Sequence, residues 1–195
     1  MRHYLVFATV GLAISLAATP ALAQRRAPRA GVRPVPDTGM GAIGVSFGAA
    51  VPRDASLDNG PILAGELEKY LTPRVSVRAQ VGGAWWNVIP RPHSQAKPLF
   101  VDGNVVYNWE GGVVHPYVTG GVGLYHYVFE GPPVDGATTN EIGADLGGGA
   151  EYFFTRHTTM TFELLFHVVN SPTVTPGIAF NSRFWNFSVG AKHYF

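Results

Sequence analysis

From Gly39 to Phe195, apolar and polar side chains alternate with a period of two, and proline, glycine and asparagine interrupt the pattern at regular intervals. That period puts successive side chains on opposite faces of an extended strand, so the stretch is expected to be β-structure with one apolar and one polar face. Eight strands are predicted, over 40–50, 62–71, 75–86, 98–109, 116–129, 141–154, 158–169 and 181–195. Each approaches or exceeds the roughly 9–11 residues that a tilted strand needs to cross lipid. The connections alternate in length. Thr72-Pro73-Arg74, Glu110-Gly111-Gly112 and Thr155-Arg156-His157 are short. The intervening links near 51–61, 87–97, 130–140 and 170–180 are longer and carry Pro52, Asn59-Gly60, Pro90, Pro92, Pro132-Pro133, Pro172 and Pro176-Gly177. Short turns at one end and long loops at the other describe an up-and-down meander whose ends both lie on the short-turn side.

The faces can be sorted by parity. In the seventh strand Met160, Phe162, Leu164, Phe166 and Val168 oppose Thr161, Glu163, Leu165, His167 and Val169. In the eighth, Trp185, Phe187, Val189, Ala191, His193 and Phe195 oppose Asn186, Ser188, Gly190, Lys192 and Tyr194. In the fourth, Val101, Val105, Tyr107 and Trp109 oppose Asp102, Asn104 and Asn108; in the third, Val75, Val77, Ala79, Val81 and Trp85 oppose Ser76, Arg78 and Gln80. Period alone does not say which face is inside. The apolar face gathers aromatics at strand ends (Trp85, Trp109, Tyr152, Phe154, Trp185), as membrane girdles do, and the polar face carries too many charges for a dry core. The expected fold is therefore an all-β, eight-stranded, antiparallel, up-and-down transmembrane β-barrel. A lipid-face arginine at Phe162 or Leu164 should then be costly, and one at Thr161 much less so.

The first residues read as an address. Arg2 supplies a positive start, Tyr4–Ala18 an apolar segment, Pro20 a break and Ala21-Leu22-Ala23 a small-x-small cleavage site. This predicts a secretory signal peptide over 1–23. No cysteine follows the site, which excludes a lipoprotein anchor. Residues 24–38, with Arg25, Arg26, Arg29, Arg33, Pro28, Pro34 and Pro36, read as a flexible periplasmic leader. The barrel is then 39–195. A net charge of +1 argues against nucleic acid as a partner. With no cysteine and no His-x-x-x-His pair, neither a disulfide, a metal site nor a cofactor is expected.

The ending resembles the terminal signature of bacterial outer-membrane barrels: Phe195 preceded at alternate positions by Ala191, Val189 and Phe187, with His193 departing from the pattern. That resemblance implies an assembly signal read by the barrel-assembly machinery. His115-Pro116-Tyr117-Val118-Thr119-Gly120-Gly121-Val122-Gly123-Leu124 and Gly147-Gly148-Gly149-Ala150-Glu151-Tyr152 resemble the fifth and sixth strands of the small opacity-protein and OmpA-like barrels. His167-Val168-Val169-Asn170-Ser171, followed by Pro176-Gly177-Ile178, resembles the His-x-Ser-Asn segment of outer-membrane lipid A deacylases. In that family serine is the nucleophile, histidine the base, and a later acid orients the ring. Here Val169 stands at the nucleophile position and no acid follows Glu163, so no catalytic residue is expected.

The polar face supplies the candidate interior cluster: Glu66, Glu68, Arg78, Asp102, Asp145, Glu151, Glu163, His167 and Lys192. Its simplest reading is a plug in which the two bases pair with carboxylates, because eight strands enclose just enough room for side chains. Its rival is an acid-lined path for small cations. The expected protein is an integral outer-membrane barrel with a structural or surface-interaction role: envelope integrity, adhesion or binding through external loops. Outer-membrane lipids and the assembly machinery are its expected partners, and the loops name no ligand. The alternatives are an inactive deacylase-like hydrolase and a soluble periplasmic lipocalin-like binder.

Overall fold

The computed structural model describes residues 36–89, 93–109, 112–132, 135–171, 173–175, 178–179 and 181–195. The expected signal peptide, and the leader up to residue 35, lie outside the described residues. Eight long strands follow: β1 (Gly41–Pro52), β2 (Gly60–Tyr70), β3 (Val75–Ala84), β4 (Gln95–Asn108), β5 (Val114–Glu130), β6 (Thr138–Phe153), β7 (Thr158–Val169) and β8 (Phe184–Tyr194). Each pairs antiparallel with its neighbours in sequence, and β1 pairs with β8 from Ala42↔Tyr194 to Pro52↔Phe184, which closes the barrel. Closure leaves none of the eight long strands with a free edge, the condition for a sheet to sit in lipid.

The parity of the sequence becomes the two surfaces of this barrel. Val45, Phe47, Leu67, Val81, Val101, Val122 and Leu146 are exposed on the outer wall. Ser76, Arg78, Gln80, Asp102, Asn104, Asn186 and Lys192 are buried inside. Tyr152 and Phe154 meet edge-on at 5.0 Å beside one short turn, and Tyr107 and Trp109 do so at 5.0 Å beside another. These form an aromatic belt at the short-turn end. Trp85 and Trp185 stand at the long-loop end, where Trp185 packs on Phe166 at 4.6 Å. A soluble lipocalin-like arrangement, with its apolar face inward, is thereby corrected: the charges are inside and the aliphatic wall outside.

Several boundaries differ from expectation, each for a local reason. β4 starts at Gln95 rather than 98, because Pro98 sits within a strand and masks the alternation. The predicted third strand stops at Ala84, and Trp86–Asn87 forms a separate two-residue strand. β8 starts at Phe184 rather than 181, because the Asn181 side chain accepts a hydrogen bond from the Arg183 N–H at 3.1 Å and holds a turn. The last loop carries a short hairpin of Thr173–Thr175 with Ile178–Ala179 that the turn residues concealed. Thr161 also requires correction. It is buried, lies opposite Glu151 and Gly190, and would touch any Cβ added at Gly190, so an arginine there has no room and is not a mild change.

Phe195 lies just past β8 and still belongs to the seam. Its N–H donates to the Gly41 carbonyl and its carbonyl accepts from the Gly41 N–H, both at 2.9 Å. Its ring covers Gly41, where a Cβ would come within 2.7 Å of the aromatic edge. Deleting Phe195 removes both hydrogen bonds at the one seam formed by strands distant in sequence. The expected result is slower barrel closure and more unfolded protein in the periplasm, read as loss of the heat-modifiable band on gels. Unchanged levels of folded barrel would contradict it.

Candidate functional site

The lumen is filled in three layers. Towards the long loops, Trp86, Phe100, Tyr125, Tyr127, Phe184 and Val169 form an apolar plug. Towards the short turns, Tyr70, Phe153, Tyr194 and Ala42 form a smaller one. Between them lies the polar set. Glycines at the inward positions of β5 and β6 admit it: a Cβ at Gly149 would sit 2.7 Å from the Tyr117 hydroxyl, and one at Gly121 would collide with Asn104 and the Gly103 carbonyl. The glycine clusters therefore serve packing, as expected where bulky side chains face each other across a narrow barrel.

Six of the nine candidate residues join in one ion-pair network, and three lie outside it. Arg78 stands 2.5 Å from Glu163, 3.1 Å from Glu66 and 3.5 Å from Glu68. Lys192 stands 2.6 Å from Glu68, 2.8 Å from Glu151 and 3.4 Å from Glu66. Glu66 and Glu68 thus bridge the two cations. Hydroxyls complete the shell: Tyr117 donates to Glu163 at 2.8 Å, Ser76 to Glu68, and Tyr194 to Glu151. The Arg78 guanidinium also lies 5.3 Å from the Tyr117 ring centre. Ser76, Tyr117 and Tyr194 are members that sequence reading missed as site residues, and Tyr117 touches both the acid and the base of the Arg78–Glu163 pair. Its inward parity in β5 was the available signal, but nothing local distinguishes it from a girdle tyrosine.

Asp102, Asp145 and His167 lie outside this network. Asp102 accepts from the Asn104 amide at 2.6 Å through one oxygen only. Neither oxygen of Asp145, nor Nε2 of His167, has a hydrogen-bond partner among the described residues, although both residues are buried. His167 is held by its other nitrogen, 2.8 Å from the Tyr125 hydroxyl, and its ring stacks on Phe184 at 4.3 Å. One expectation needs correction here. An acid does face His167: Asp145 is its register partner on β6. The search along the chain after Glu163 could not find it, because sheet neighbours are non-local. Val169, which has no hydroxyl, occupies the next inward position of β7, and Ser182 donates its hydroxyl to the Val169 and Asn170 carbonyls at 3.0 and 2.9 Å. The proposed assembly residues Phe187, Val189 and Ala191 line the outer face of β8, opposite Leu164, Phe162 and Met160, with Phe195 beyond them.

The long-loop rim has its own order. Asp54 accepts from the Ser56 N–H at 2.9 Å and from the Asn181 N–H at 2.8 Å, so one carboxylate ties the first loop to the last. Partial burial pushes the Asp54 carboxyl upward, but the Ser56 and Asn181 hydrogen bonds outweigh it and hold it below its ordinary value. The tie is therefore complete above the ordinary carboxylate range and is lost as pH falls through the lowered value. A backbone bridge from Leu57 to Val88 links the first and second loops.

A closed antiparallel barrel with an aliphatic wall, aromatic belts and charges sealed inside defines an integral protein of the bacterial outer membrane. Residues 9–193 match the family model of the outer membrane protein beta-barrel domain, and the chain belongs to that family. The fold is similar to that of Neisserial surface protein A, at TM-score 0.66 and 14% identity over 80% of this chain and 99% of that one. It is also similar to the outer membrane protein OprG of Pseudomonas aeruginosa, at TM-score 0.62 and 15% identity over 82% and 97%. Ail, the attachment invasion locus protein of Yersinia pestis, aligns at TM-score 0.57 and 10% identity over 81% and 99%. At these identities the likeness is one of fold. No curated protein matches the chain in sequence.

Proposed function

We propose that the protein is a non-enzymatic barrel whose role is structural or surface-binding and is exercised at its external loops. The observation that carries this reading is the filled lumen: two apolar layers enclose a buried ion-pair cluster, so the interior is committed to holding the barrel together. What remains for specificity is the rim, where three of the loops are cross-tied. A fold shared with an attachment protein, itself crystallised with the heparin analogue sucrose octasulfate, agrees with a surface role. On this reading the chain reaches the membrane by a cleaved signal peptide over 1–23, residues 24–38 form a periplasmic leader, and the outer face of β8 with Phe195 engages the assembly machinery.

Two measurements on the purified, refolded barrel and its expressing strain test the reading. Planar bilayers should show no steady conductance, and overexpression should leave lipid A acylation unchanged by mass spectrometry, with His167→Ala identical to wild type. Regular open steps would restore the cation path. Loss of an acyl chain that depends on His167 would restore the hydrolase.

A further inference from the structure

The ladder between β1 and β8 continues one step past the Pro52–Phe184 pair towards the loops: the Arg53 N–H donates to the Arg183 carbonyl at 2.9 Å. This sets two arginines directly opposite each other. Parity places them on the outer face, since Phe184 is inward and Trp185 outward, and both are exposed. Like charges opposite each other across a strand pair repel. Neither arginine has an ion-pair partner among the described residues, and the neighbouring Asp54 is occupied by Ser56 and Asn181. Elsewhere on the same rim the charge of Lys97 is answered by Glu130 at 2.5 Å. The same Asp54 tie that withholds a carboxylate also fastens the two loops that carry the arginines. Directly below the pair, on the lipid-facing wall, lie Val51, Trp185 and Phe166, with Trp185 opposite both of the others. A guanidinium pair on tied backbones, with no ion-pair partner among the described residues and an aromatic floor beneath it, offers what an amphiphile needs: planar donors for an anionic head, apolar surface for its tail.

We propose that Arg53 and Arg183 bind the phosphate of a phosphorylated glycolipid embedded in the outer leaflet, with one of its acyl chains lying along Val51, Trp185 and Phe166. The phosphate accepts from both guanidinium groups and removes their mutual repulsion, so the pair binds more strongly than two separate arginines.

The test uses the full barrel in vesicles of neutral phospholipid doped with bisphosphorylated lipid A, with bound lipid counted by native mass spectrometry after extraction. The wild type should retain lipid A at least tenfold better than its dephosphorylated form. Arg53→Gln/Arg183→Gln should lose that preference, Arg53→Lys/Arg183→Lys should keep part of it, and Lys97→Gln should keep all of it. Folding of each variant is checked by its heat-modifiable migration. If the double glutamine variant does not fold, the wild-type comparison of the two lipids and the single Arg183→Gln variant decide. Equal retention of both lipids by the wild type, or full retention by the glutamine variants, would overturn the site. Competition by millimolar inorganic phosphate as effective as by lipid A would show a free-phosphate site and likewise overturn it.

Discussion

Arg78→Met should destabilise the refolded barrel by roughly 3–5 kcal/mol, the usual cost of removing one partner from a buried charge cluster. Methionine fills much of the same volume, so the loss is electrostatic rather than a cavity. Glu163, Glu66 and Glu68 would all lose a cation within 3.5 Å, and Lys192 would remain alone among four glutamates. Glu163→Gln is the informative companion. It keeps the shape and a hydrogen-bond acceptor for Tyr117, leaves Arg78 with Glu66 and Glu68, and should cost clearly less. Urea titration in vesicles, followed by tryptophan fluorescence, measures both. Equal stability of Arg78→Met and wild type would show that the cluster is dispensable to the barrel and would reopen the question of what the lumen is for.

Phe162→Arg should cost roughly 2–4 kcal/mol, because an arginine on the lipid face near the middle of the wall must strip or drag its hydration into hydrocarbon. Phe162 is exposed on that wall, between Ala150 of β6 and Val189 of β8. The effect depends on depth, so Tyr152→Arg, in the belt beside a short turn, should cost only about 0–1 kcal/mol. The same urea titration checks the pair, and an equal cost at both positions would contradict the placement of the membrane along the barrel.

The fold was legible in the sequence because its signal is local. A two-residue period, short and long connections in alternation, and aromatics at strand ends are all read within a dozen neighbouring residues. They determine strand number, meander order and which side chains share a face, and they put Glu66, Glu68, Arg78, Glu151, Glu163 and Lys192 on one face without reference to any contact. Boundaries failed where local chemistry competes with parity: Pro98 inside β4, the Asn181 turn before β8, and the hairpin within the last loop.

The grouping of those inward residues was decided only by tertiary structure. Arg78 meets Glu163 from 85 positions away, and Lys192 meets Glu68 from 124. Such meetings depend on the stagger between strands and on closure of β1 against β8, which parity does not encode. The same holds for Asp145 facing His167 and for Arg53 facing Arg183. Parity is a property of each strand alone and can be read from it. Register is a property of strand pairs, set by how one whole row of side chains packs against the next, and it becomes visible only when the barrel is closed.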